Sequence, residues 1–244
     1  MNVVGVVAAL AVEARALGPT MRRREGPATL LDGTLLALSG TGSAAAARAA
    51  RTLIDAGARA LASWGLAGGL DPALTAGAVV LPSEVICTDG IGFATARDWR
   101  ERCRAAIAVE RSVSGGKLLS SAQAIHSVEA KAAAFRATGA AAVDMESFAV
   151  ARVAAMEGLP FIALRVIVDT AQDALPRAVM AASRSGRLHI GRLIAALALT
   201  PADIAPLIRL AQRYRAAQRA LVAIARTGGL APAAFSSAAD GPLS

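Results

Sequence analysis

Ala140-Ala141-Ala142-Val143-Asp144-Met145-Glu146-Ser147-Phe148 opens a block that closes with Phe161-Ile162-Ala163-Leu164-Arg165-Val166-Ile167-Val168-Asp169. It reads as strand, turn, helix and strand: a small apolar run to Val143, a turn over Asp144 to Ser147, a helix from Phe148 to Glu157 stopped by Gly158, and a strand from Pro160 to Val168. A near-continuous apolar strand is one covered on both faces. Asp169 therefore emerges at the carboxyl end of a central strand, where the active sites of such sheets lie.

The same alternation extends outward. Val3 to Leu10 reads as a buried strand feeding a helix over Ala11 to Leu17. Thr34 to Leu38 is a strand, Ser39-Gly40-Thr41-Gly42 a tight turn, and Ser43 to Ala56 a helix ended by Gly57. Arg59 to Trp64 and Ala78 to Ile86 are further strands, joined through a loop, Gly65-Leu66-Ala67-Gly68-Gly69. Arg97 to Ala108 has a helical pattern, Lys117 to Ser121 is a strand, and Ser127 caps a helix running to Ala137. The predicted fold is α/β, a three-layer sandwich with a central mixed β-sheet flanked by helices. One domain is expected over residues 1–227, with a mobile tail over 228–244.

Composition removes several classes. Of 244 residues 55% are hydrophobic and mean hydropathy is +0.50, yet no apolar run reaches the roughly 18 to 20 residues that span a bilayer. The opening Met1 to Gly5 carries no basic segment before its apolar run, so a cytoplasmic location is expected. Cys87 and Cys103 are expected to be free thiols. The net charge of +8 is almost all arginine, since Lys117 and Lys131 are the only lysines. Aromatics at 3% leave few platforms for stacking bases, which argues against nucleic acid. A basic helix over Pro201 to Thr227, with Arg209, Arg213, Arg215 and Arg219 beside Leu207, Ile208, Leu210 and Tyr214, could instead lie on anionic lipid or pack on the sheet with a solvated face.

Carboxylates carry the candidate chemistry. Asp169, partly desolvated, could be a proton donor or a helix N-cap. Glu146 could accept two ribose hydroxyls or sit against a helix dipole, and Asp144 could be a turn residue or a second site carboxylate. Glu13 lies in the first turn of a helix, where Glu is ordinary. The Ser39 to Gly42 turn opens a helix and could cradle an anion. His126 and His189 lie in no metal-ligand pattern, so no metal or organic cofactor is expected.

Taken in order, Val4 to Leu10 with Glu13, Ser39 to Gly42, Gly65 to Leu70, Val143 to Ser147 and Arg165 to Asp169 resemble the superfamily of purine nucleoside phosphorylases and methylthioadenosine/S-adenosylhomocysteine nucleosidases. The resemblance spans roughly residues 3–200. Within it, Val143 to Ala151 and the segment from Ala174-Leu175-Pro176 to Leu210 look most like the hopanoid-associated phosphorylases, which remove adenine from adenosylhopane.

The resemblance implies roles. Asp169 becomes the general acid at purine N7, Glu146 the carboxylate holding the ribose hydroxyls, and Met145 the side chain beneath the sugar. Glu13 positions the nucleophile. Ser39, Gly40 and Gly42, with Ala67 and Gly68, line the loops around water or phosphate, and Ile125 falls near the purine. Leu66 and Val168 stand where the nucleosidases carry Ser, so the choice between water and phosphate as co-substrate stays open. A homodimer, a small-molecule nucleoside that is lipid-linked in the hopanoid case, and contact with the inner membrane surface are further expectations. Replacing Asp169 by Asn is expected to stop turnover with the fold intact.

Overall fold

A computed structural model describes residues 3–21, 26–30, 32–109, 111–174, 183–184, 187–188, 204–228 and 230. The strands are β1 (Val4–Ala8), β2 (Thr20–Met21), β3 (Ala28–Leu30), β4 (Leu35–Leu38), β5 (Ala60–Gly69), β6 (Val79–Val80), β7 (Glu84–Cys87), β8 (Gly92–Ala94), β9 (Val113–Ser114), β10 (Lys117–Ser120), β11 (Ala140–Asp144) and β12 (Phe161–Asp169). In a separate two-stranded sheet, β13 (Ser183–Arg184) pairs antiparallel with β14 (Arg187–Leu188). The helices are α1 (Ala11–Ala16), α2 (Ser43–Asp55), α3 (Arg97–Ala108), α4 (Val128–Thr138), α5 (Ser147–Met156) and α6 (Ile204–Arg226).

The main sheet is mixed and branches at β5. The first half of β5 pairs in parallel with β1 on one side and β12 on the other, while its end turns to meet β11 antiparallel, Val143 opposite Gly68. Strand alternation divides the core. Leu61, Ala163 and Ile167 face the layer of α2 and α5. Ala62, Trp64, Ile162 and Leu164 face the opposite side with Trp99 and Ile107 of α3 and Ala217, Leu221 and Ile224 of α6. Helices on both sides of one mixed sheet make the expected three-layer sandwich.

Two local readings change. The glycine-rich run 65–69 is not a loop but the continuation of β5, where glycine replaces the usual strand formers because carboxylates press on it. Ala78 to Ile86 is two strands, since Pro82 has no N–H for the ladder and Leu81 and Ser83 donate instead to Ser114 and Gly116. The Ser127 cap forms as read, its Oγ accepting from Ala130 N at 3.1 Å.

Among the described residues no helix is long and apolar enough to cross a membrane. Both cysteines are free, and burial pushes the Cys103 thiol up to about 12. Residues 175–182 and 189–203, where much of the hopanoid-type resemblance lies, and 231–244 of the expected mobile tail are outside the described residues. Leu230, at the start of that tail, is buried in the α6 side of the core.

Candidate active site

Three carboxylates gather along β5, each carried in at a strand end. The chain leaves β1, turns at Ala9-Leu10 and enters α1, which brings Glu13 back over the sheet, buried. Its Oε2 accepts from Ala9 N at 3.0 Å and Leu10 N at 2.8 Å, and its Oε1 accepts from Leu66 N at 2.8 Å. A Cβ at position 65 would lie 2.5 Å from Oε1, so Gly65 is the opening through which this carboxylate reaches the strand. Burial raises the Glu13 carboxyl above its ordinary range, against the nearby charge of Arg165 and the three backbone donors.

Glu146 follows β11 and precedes α5, whose first turn it does not cap. Its Oε1 instead accepts from Gly42 N at 2.7 Å, across to the N-terminus of α2. Gly42 stands at φ 96°, a conformation that suits glycine and aims its N–H outward from α2. Ser43 Oγ adds a bond to Met145 O at 3.2 Å, so the Ser39 to Gly42 turn and the Met145-Glu146 pair form one rim. Ser39 Oγ turns to Gly40 O at 2.6 Å. Burial raises the Glu146 carboxyl, and the neighbouring Asp144 charge adds to it.

Asp169 ends β12 opposite Gly68 and closes the row. A Cβ on Gly68 would meet its Oδ2 at 3.3 Å, so the small residue lets the carboxyl lie flat against β5. No helix begins there. A tight turn follows, with Thr170 N and Oγ1 donating to Asp173 Oδ2 at 2.9 and 2.7 Å. Burial raises the Asp169 carboxyl, although a lysine opposes that effect. Ala67 is buried in the same stretch of β5, and Ile125 packs with Leu70 and Val143 beside it. Glu13, Ala67, Gly68 and Asp169 thus lie along β5, while Ser39, Gly40, Gly42, Met145 and Glu146 gather at the N-terminus of α2.

Sequence reasoning missed two cations. Arg165, buried in mid-strand, donates from Nε to Asp144 Oδ2 at 2.9 Å, from Nη1 to Leu164 O at 3.0 Å, and from Nη2 to Ser63 and Ser147 Oγ at 2.6 and 2.8 Å. Asp144 also takes the Ser120 hydroxyl and the Ser147 N–H, which makes it a structural counter-charge for Arg165. The other is Lys131 of α4, fully buried and ion-paired with Asp169. A charged residue inside an otherwise apolar strand was the only signal for Arg165. For Lys131 the signal was its rarity in an arginine-rich chain.

Of the four arginines singled out on the C-terminal helix, one is held in an ion pair. Arg213 turns in to pair with Asp173, while Arg209, Arg215 and Arg219 stay exposed. Ala217, Ala220, Leu221 and Ile224 bury the rest of α6 on the sheet.

The phosphorylase superfamily profile matches residues 31–198. Similar solved structures include the methylthioadenosine/S-adenosylhomocysteine nucleosidase of Helicobacter pylori, at 17% identity over 92% of this chain and 97% of that one, TM-score 0.65. That of Neisseria meningitidis, in complex with methylthio-immucillin-A, gives 22% identity over 92% and 99%, TM-score 0.64. The futalosine hydrolase of H. pylori gives 16% identity over 91% and 97%, TM-score 0.65. No curated protein matches the chain.

Proposed function

The chain belongs to the phosphorylase superfamily, and from that premise we propose that it is an enzyme cleaving the N-glycosidic bond of an adenine nucleoside, with water as nucleophile. The observation that carries this reading is the spacing along β5, where Glu13 rests on Gly65 and Asp169 on Gly68. Three strand residues span about 10 Å, room for a nucleoside with its base at Asp169 and its anomeric carbon toward Glu13.

Cleavage needs a proton on the departing purine and a nucleophile at C1′. Asp169, whose carboxyl burial raises against the opposing charge of Lys131, donates its proton to N7 as the C1′–N9 bond breaks. A water held by Glu13 forms the new C–O bond and gives its proton to the Glu13 carboxylate. Adenine and the free sugar leave, and solvent resets both carboxyls. Glu146 holds the ribose hydroxyls as the sugar becomes cationic.

Water is favoured over phosphate by what occupies the donors. The amides of Ala9, Leu10 and Leu66, which could have cradled an anion, all serve Glu13. The Arg165 donors serve Asp144, Leu164, Ser63 and Ser147. A phosphate here would face carboxylates with little to bind it.

For the 5′ substituent we read adenosylhopane, supported by the sequence resemblance; a cleft of about 700 Å³ that begins at Ser39 is lined by Leu36 and Leu38 together with Arg15, Thr20, Arg48 and Thr52. A second reading, a methylthioadenosine/S-adenosylhomocysteine nucleosidase, shares this machinery and is supported by the nucleosidase-like Glu13. The homodimer and the membrane contact remain part of the proposal. Their support is the resemblance and, for the membrane, a groove between α1 and α6 lined by Arg15, Arg215, Arg219 and Arg226.

The test is adenine release from 5′-methylthioadenosine and from a 5′-alkyl adenosine of hopanoid size. Release without phosphate, yielding free sugar, is expected. A strict phosphate requirement would overturn the choice of water, and no release from either substrate would overturn the reading.

A further inference from the structure

Lys131 belongs to no motif that identified the site, and its surroundings are unusual. It is one of two lysines among 26 basic residues, and its exposure is 0%. Long charged side chains are almost never fully buried unless paired. Its Nζ is satisfied three times over, by Asp169 Oδ2, by Thr170 O at 2.8 Å and by Asp173 O at 2.9 Å. An ammonium has three donors and no acceptor. Every hydrogen it carries is thereby committed to the end of β12 and the turn after it.

We propose that Lys131 is the positioning residue of the general acid: by donating to Oδ2 of Asp169 it confines the transferable proton to Oδ1, the oxygen left to address the leaving base. The reasoning rests on donor and acceptor logic. Lys131 can only donate, so the oxygen it holds serves as its acceptor. A hydrogen on that same oxygen would sit against an ammonium, so a protonated Asp169 favours the other oxygen for its hydrogen. Once that proton passes to the purine, the carboxylate left behind already has its counter-charge, so the step creates no isolated buried anion.

The same contacts tie the acid to α6. Asp173 accepts from Lys131 through its carbonyl and pairs through its carboxylate with Arg213. Burial works against the charged form of Asp173, but the Thr170 hydrogen bonds and Arg213 outweigh it and hold that carboxyl below its ordinary range. The charged groups facing Asp169 are therefore Lys131 from α4 and Asp173 from the turn, with Arg213 of α6 behind Asp173. The strands against it, β5 and β11, contribute Gly68 and Val143, which carry no charge.

The inference rests on the proposed function, and its test separates the two. Lys131→Met, Lys131→Gln and Lys131→Arg would be compared with the parent in the pH profile of kcat/KM for adenine release. The titration of the Asp169 carboxyl carbon would be followed by NMR in the same proteins. Removing the cation leaves burial unopposed, so Asp169 should hold its proton to higher pH. Met and Gln should shift both the alkaline limb and the NMR midpoint upward, while adenine release falls about 10- to 100-fold, less than the roughly 10²- to 10⁴-fold that the acid itself supplies. Arg should return the limb toward that of the parent. If Met does not fold, Gln, which keeps a donor, is read in its place. A folded Met or Gln variant with an unshifted Asp169 midpoint would overturn the inference. Absence of adenine release in the parent would instead overturn the functional reading, with the NMR midpoint still testing Lys131.

Discussion

Glu13 and Asp169 lie against the same stretch of β5, yet the fold holds them by opposite means. Glu13 is fed by three backbone N–H groups, and among the described residues no cation pairs with it directly. Asp169 is paired with an ammonium carried 38 positions away on α4. Backbone donors are fixed by the fold, whereas the lysine is one replaceable side chain. The difference matches the tasks proposed for them. A base gathers a proton and ends neutral, so amides suffice; an acid ends as an anion, and a counter-charge is already in place.

The comparison breaks most visibly at Asp169. Asp169→Asn should reduce adenine release by about 10²- to 10⁴-fold in steady-state assays. Sequence alone leads to an unchanged stability; Lys131, left buried against a neutral amide, leads instead to a less stable but folded protein. Breaking such a pair costs about 3 kcal/mol or more, readable in denaturant unfolding. Adding Lys131→Met should recover part of that stability and none of the activity. Stability equal to the parent in the single variant would contradict the pairing.

Glu13→Gln should cost less stability and comparable activity. An amide presents one oxygen where three N–H groups converge, so at least one donor loses its acceptor, a loss of about 1–3 kcal/mol. Turnover should fall by about 10²-fold or more, as for a lost general base. Activity within a few-fold of the parent would remove Glu13 from the mechanism.

The smallest effect should have the opposite sign. Burial and Asp144 raise the Glu146 carboxyl, so folding favours its neutral form. The stability it contributes is fully present below the ordinary carboxylate range and is lost as pH rises through its raised folded value. Glu146→Gln cannot ionise and keeps an oxygen for Gly42 N. Its Tm should exceed that of the parent by a few degrees at neutral pH and converge with it in acid. Discrimination against 2′-deoxy substrates should weaken in the same variant. A Tm difference independent of pH would show that Glu146 is not buried as a neutral acid.

Most of the fold could be read from residue pattern because its strands are short apolar runs bounded by glycine and its helices end at Gly57, Gly139 and Gly158, at φ 103°, 65° and 64°. The run 65–69 was misread because glycine usually breaks strands, and the reason it does not here is a carboxylate more than fifty residues away. The carboxylates were legible since charge at a strand end is conspicuous. Lys131 was not, because nothing local distinguishes a lysine in a helix of Ala and Glu from a solvated one. Its meaning comes from β12, which only the folded chain brings beside it.

The account stands or falls on the nucleophile that Glu13 holds. Incubation with 5′-methylthioadenosine and the 5′-alkyl adenosine in phosphate-containing buffer made with oxygen-18 water, followed by mass spectrometry of the sugar product, tests it directly. The account predicts adenine and a free sugar carrying the heavy oxygen at C1′; a sugar 1-phosphate without it would contradict the assignment of water to this site.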